Sequence, residues 1–120
     1  MRIESLRPGE IFVFGSNASG AHGAGAAATA LERFGAVWGQ GDGLQGRSYG
    51  IDTMSGLPVM EEGVERFLGF AARHPELRFL VTEIGCGIAG YTPDQVAPLF
   101  AGAPENVVLP ERFRAVLAQS

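Results

Sequence analysis

Apolar and polar positions along this chain follow two rhythms: short unbroken apolar runs, and longer stretches with apolar residues three and four apart. Ile11-Phe12-Val13-Phe14, bounded by Gly9 and Gly15, belongs to the first kind and reads as a strand buried on both faces. The turn-forming stretch Gly15-Ser16-Asn17-Ala18-Ser19-Gly20 follows, then an alanine-rich segment from about Gly23 to Phe34 that predicts a helix. Residues 35 to 47 carry five glycines, too many for a regular element, and Arg47 to Thr53 predicts another short strand. From Glu61 to His74, Val64, Phe67, Leu68 and Ala71 fall on one helical stripe with the charges largely outside it, and Pro75 closes the segment. Arg78 to Ile84 predicts a strand that runs into Gly85-Cys86-Gly87-Ile88-Ala89-Gly90-Tyr91. Thr92-Pro93-Asp94-Gln95 has the form of a capping box and predicts a helix to about Phe100. A last strand over Asn106 to Leu109 and a terminal helix over Glu111 to Leu117 complete the pattern.

Strands that alternate with helices imply a mostly parallel sheet, right-handed crossovers and helices on both faces. The expectation is one α/β domain over residues 1 to 120, with no internal repeat or linker. Both glycine loops then leave strands at their carboxyl ends, where such sheets bind ligands.

Composition narrows the chemistry. Hydrophobic residues make up 46% and charged residues 18% of the chain, which excludes a disordered tail, and no apolar run nears the roughly 20 residues of a membrane span. A net charge of −4 argues against a basic surface for bulk nucleic acid. The N-terminal residues lack the apolar core of a secretory signal and Cys86 has no second cysteine to pair with, so a cytoplasmic, reducing setting is expected. All nine basic residues are arginine, which removes Schiff-base lysine chemistry and the lysine of a Walker loop. His22 and His74 lie far apart with no ligand cluster around either, so neither a metal nor a cofactor is expected.

Glycine, at 18 residues, has about twice its usual share of ~7%. Glycine lets backbone N–H groups approach a ligand closely, and a helix N-terminus adds unpaired donors and partial positive charge, so phosphate is the natural guest of both loops. Gly23-Ala24-Gly25-Ala26-Ala27-Ala28 imitates a dinucleotide fingerprint. Its first glycine lies well beyond the strand, however, and no acidic residue ends a strand about 20 positions later.

The segment Gly85-Cys86-Gly87-Ile88-Ala89-Gly90-Tyr91-Thr92-Pro93 after an apolar strand resembles the diphosphate-binding loop of macro domains. Phe12 to Asn17 followed by Gly20-Ala21-His22-Gly23-Ala24-Gly25 is similar to that family's first loop, and Ser48 to Thr53 falls where the family has its next strand. The resemblance covers residues 10 to 110 and identifies a short or divergent member. It implies a three-layer α/β/α sandwich with a mostly parallel mixed sheet. It also implies recognition of ADP-ribose, alone or carried by a protein, a nucleic-acid end or a small molecule, sometimes with hydrolysis of the ADP-ribosyl linkage. By matched position Asn17 meets the distal ribose, Gly15, Ser16, Gly23, Ala24 and Gly25 lie near phosphates and ribose, Gly85 to Gly90 wrap the diphosphate, and Tyr91 covers the distal ribose. Two family features are missing: only Glu4 and Glu10 precede the first buried strand where an adenine-reading aspartate is usual, and Ala89 stands where one hydrolase branch has an aspartate that works with a lysine.

Asn17, His22 and Asp52 are the catalytic candidates, as helpers of an ordered water. His22 could serve as acid or base, or shape its loop by a hydrogen bond; Asp52 could orient water, or simply make a turn. Cys86 sits among backbone donors near a helix start, which favours a thiolate, or it fills space. Trp38 and Tyr49 could stack on a base or cover the core. The alternatives to a hydrolase are a non-catalytic reader of a nucleotide and a Cys86-dependent enzyme acting on a small molecule.

Overall fold

The computed structural model describes Ile3 and residues 5 to 119. Five strands form one mixed sheet: β1 (Glu10–Ser16), β2 (Gly43–Gln45), β3 (Ser48–Asp52), β4 (Arg78–Val81) and β5 (Val107–Val108), in the order β2-β3-β1-β4-β5. β1 lies at the centre, parallel to β3 and β4, and β5 is parallel to β4, while β2 is antiparallel to β3. Four helices accompany them: α1 (Gly25–Arg33), α2 (Leu57–Ala72), α3 (Pro93–Val96) and α4 (Glu111–Ala118), with a 3-10 turn at Ala97–Phe100. No helix among the described residues is long and apolar enough to cross a membrane.

Successive side chains of a strand point to opposite faces, and β1 uses both. Ile11 and Val13 join Met60, Val64, Phe67 and Ala71 of α2, together with Phe79, Phe100 and Phe113. Phe12 and Phe14 face the other way and pack with Ala27, Ala30 and Phe34 of α1. The unbroken apolar run of β1 follows from this double burial. Each of the larger side chains so enclosed contributes about 1.5–3 kcal/mol relative to exposure. α1 and α2 therefore cover opposite sides of the central strand, and the chain leaves β1 toward β3 but returns through α2 to β4. A crevice opens where those two routes diverge, at the carboxyl ends of β1 and β4.

Element ends differ from the sequence pattern for local reasons. α2 starts at Leu57, four residues before the charged stripe, because Gly56 at φ 102° turns the chain and Pro58 fits a first helical turn. β4 ends after Val81: Thr82 still bonds the Val13 carbonyl through both its N–H and its hydroxyl, and Ile84 N–H then turns back to the Thr82 carbonyl. The helix predicted from Thr92 to Phe100 is α-helical only over Pro93–Val96 and tightens to 3-10 over Ala97–Phe100, which contains Pro98. Its start is as expected, with Thr92 N–H donating to Gln95 Oε1 at 2.9 Å. The glycine segment 35 to 47 is not wholly irregular: it holds β2, which pairs with β3 through a turn at Gly46, φ 60°.

Candidate functional site

The crevice is a cleft of about 590 Å³, within the roughly 300–1,000 Å³ usual for small-molecule sites. One wall is the first loop and the start of α1: Gly15, Ser16, Asn17, Gly23, Ala24 and Gly25. The facing wall is the second loop, with Gly85, Cys86, Gly87, Ile88 and Ala89. Thr53, Met54, Thr82, Glu83 and Ile84 close the floor and sides. Eleven of the residues singled out from the sequence thus share one cleft.

Residues of two arrays of backbone donors line it. α1 begins at Gly25, and its N-cap Ala24 offers no side-chain cap, so the first N–H groups of the helix have no acceptor among the described residues and no acidic residue in their own turn. In the second loop, Cys86, Gly90 and Tyr91 N–H groups bond to the Glu83, Gly87 and Gly85 carbonyls, which folds the loop on itself. The N–H groups of Gly87, Ile88 and Ala89 are left without an acceptor among the described residues.

The first loop is held from behind. Asn17 Oδ1 accepts from Ala21 N–H at 2.9 Å and from the Ser19 hydroxyl at 3.0 Å, and Asn17 Nδ2 donates to the Ala21 carbonyl at 3.0 Å. The segment 39 to 41 packs against this loop backbone to backbone: Gly39 N–H donates to the Gly20 carbonyl at 2.9 Å, and a Cβ on Gly41 would stand 1.9 Å from the Asn17 carbonyl oxygen. Gly41 is there for close approach.

His22 does not reach the cleft wall. It is 1% exposed, with Nδ1 3.5 Å from Ser16 Oγ and Nε2 2.9 Å from the Gln40 carbonyl and 3.2 Å from Gln45 Oε1. Phe14 and Trp38 meet its ring edge-on, at 5.2 Å and 6.4 Å between centroids. Asp52 lies outside the cleft lining as well: its carboxylate accepts from Met54 N–H at 2.9 Å and the Ser55 hydroxyl at 2.5 Å, capping the turn after β3. Tyr91 packs on the core beside Gly85 rather than over the cleft, and Gly90 turns the loop at φ 82°. Tyr49 is buried against Phe67 and Phe70, and Trp38, largely exposed, lies outside the cleft.

The charged group on the cleft wall is Glu83, which Arg112 grips with two hydrogen bonds at 2.8 Å and 2.7 Å. That grip holds the Glu83 carboxyl below its ordinary range. Cys86 is half-buried, and burial, helped by the nearby Glu83 charge, pushes its thiol up. No cluster of three or more His, Cys, Asp or Glu fit for a metal occurs among the described residues.

Beyond Gly25, Ala26, Thr82 and Glu83 the cleft continues into a wider groove of about 930 Å³ on the α1 side of the sheet. Phe12, Leu80, Val108, Leu109 and Pro110 line this groove, together with charges of both signs: Glu32, Glu83 and Glu111, and Arg33, Arg112 and Arg114. Thr53, Thr82 and Met54 escaped the sequence reading; the signal was their place, just past the ends of β3 and β4. No protein-family model, curated protein or solved structure matches the chain.

Proposed function

We propose that this protein binds ADP-ribose, or a ligand that carries it, in the cleft between its two glycine loops, on a macro-domain-like α/β/α sandwich. One observation carries the reading: an uncapped helix N-terminus and a second set of backbone N–H groups without an acceptor among the described residues line a single cleft. Donors on both sides suit a diphosphate, whose charge needs no lysine when backbone dipoles converge on it. The adenosine half extends along the wider groove, where Phe12, Leu80 and Val108 offer apolar contact to the base and the mixed charges of the lining offer hydrogen bonds to the ribose. Cover on both faces of β1 supports the sandwich. The ADP-ribose carrier is a protein, a nucleic-acid end or a small molecule in a cytoplasmic setting.

Titration calorimetry with ADP-ribose, ADP and inorganic diphosphate tests this. Binding strongest for ADP-ribose, weaker for ADP and weakest for diphosphate is expected; no heat from any of them at millimolar concentration overturns it. A cysteine-dependent enzyme is the poorer reading, because burial and Glu83 disfavour the thiolate it needs.

A further inference from the structure

Among the described residues on the cleft wall, the hydroxyl and carboxylate groups are already committed, and only one hydroxyl is committed to a base. Thr53 donates to the Ser16 carbonyl at 3.3 Å and Thr82 to the Val13 carbonyl at 2.8 Å, oxygens that cannot store a proton. The Asn17 amide is tied to Ala21 and Ser19, and Glu83 to Arg112. Ser16 alone faces an imidazole.

The surroundings fix which imidazole nitrogen carries the proton. Val37 N–H, which can only donate, lies 2.8 Å from Gln45 Oε1, while Gln45 Nε2 lies 3.1 Å and 3.3 Å from the carbonyls of Gln40 and Gly43, which can only accept. The Gln45 amide therefore has one orientation. His22 Nε2 consequently meets two oxygens with no proton to give, and must itself donate. In a neutral ring this leaves the Nδ1 lone pair for the Ser16 hydroxyl. The 3.5 Å separation is long, as catalytic hydrogen bonds often are before substrate packs the site.

We propose that Ser16 and His22 form a proton relay that activates water to hydrolyse a glycosidic bond at the anomeric carbon of an ADP-ribosyl ligand, a proposal that rests on the cleft being an ADP-ribose site. Water gives a proton to Ser16 Oγ as the Ser16 proton passes to His22 Nδ1. The water oxygen bonds to the anomeric carbon, and the bond from that carbon to the carrier breaks, its electron pair leaving with the carrier. The imidazolium, held by the Gln40 and Gln45 oxygens, then returns its proton through Ser16 to the departing group or to solvent. Base, orienting acceptors and hydroxyl follow the logic of an activated nucleophile, with Ser16, 3% exposed, handing the proton on rather than attacking.

The test uses the full chain and ADP-ribose bearing p-nitrophenol at its anomeric carbon, whose leaving group needs no acid, so the rate reports water activation. Ser16→Ala is expected to bind ADP-ribose within about threefold of wild type while kcat falls about 10²-fold or more, and His22→Gln to lower kcat with KM little changed. Two measurements need no variant: nitrogen NMR of the ring, with only two histidines to assign, shows His22 as the Nε2–H form, and kcat falls in heavy water. An Nδ1–H ring, an absent isotope effect or full turnover by Ser16→Ala overturns the relay. Wild type that binds ADP-ribose but releases no p-nitrophenol overturns it and leaves the binding reading standing, whereas failure to bind ADP-ribose removes both.

Discussion

Gly23 and Gly87 stand on opposite walls of the cleft, and neither has a heavy atom within 4 Å of where a Cβ would lie. Neither has a left-handed φ. Alanine at either position therefore meets no neighbour and no backbone strain. Stability should change by less than about 0.5 kcal/mol, or rise slightly as the unfolded chain loses freedom. The ligand feels it instead. Each methyl projects into the space through which a phosphate reaches the backbone N–H groups, and a hydrogen bond to a charged group is worth about 1.5–3 kcal/mol. Losing one such bond weakens ADP-ribose binding roughly 10- to 100-fold. Thermal melting and calorimetry on Gly23→Ala and Gly87→Ala separate the two effects. Unchanged melting with binding within twofold of wild type for both variants would refute the claim that these amides hold the diphosphate.

Gly41→Ala should do the opposite, because its Cβ would overlap the Asn17 carbonyl oxygen at 1.9 Å. A loss near or above about 3 kcal/mol, the top of the range for overpacking, is expected in urea denaturation. Glu83, held below its ordinary range by Arg112, adds stability above its unfolded-state pKa that is lost as pH falls through its folded-state value. Arg112→Ala should thus lower the melting temperature at neutral pH, with the gap to wild type closing in acid; a gap that persists there contradicts the ion pair as its source. Glu83→Gln should tighten diphosphate binding at low ionic strength, by removing a negative charge from the cleft wall, and the gain should fade with added salt. Cys86→Ser should keep ADP-ribose binding and any turnover, and the wild-type thiol should alkylate slowly at neutral pH; rapid alkylation would contradict its raised pKa.

The central strand was legible because double burial leaves an unbroken apolar run, and α2 because single-sided burial leaves a stripe. The capping signal at Thr92 was equally readable, being local. Strand ends were not: β4 turns away only after Thr82, whose N–H and hydroxyl both bond the Val13 carbonyl 69 positions earlier in the chain, where Ile84 N–H bends back to the Thr82 carbonyl. β2 was hidden for a related reason, since a three-residue edge strand beside left-handed glycines has no periodicity to show. At the cleft, the glycine loops announced themselves, but what each polar side chain does depends on partners far along the sequence. Asn17, Asp52 and His22 were singled out by residue type and local setting. The fold spends Asn17 and Asp52 on their own turns, and it puts His22 behind Ser16 with Gln40 and Gln45, residues that carry no chemical signature of their own.

The edge contact between His22 and Trp38 makes the molecule its own spectroscopic probe. Trp38 is the single tryptophan, its ring centroid lies 6.4 Å from that of the enclosed imidazole, and its outer side is open to solvent. A protonated imidazole quenches indole emission at such range, whereas a neutral one does so weakly. Transfer of a proton onto His22, or a shift of the segment that carries Gln40 and Gln45, would therefore appear as a change in intrinsic fluorescence on the timescale of the event, without any label attached to the protein.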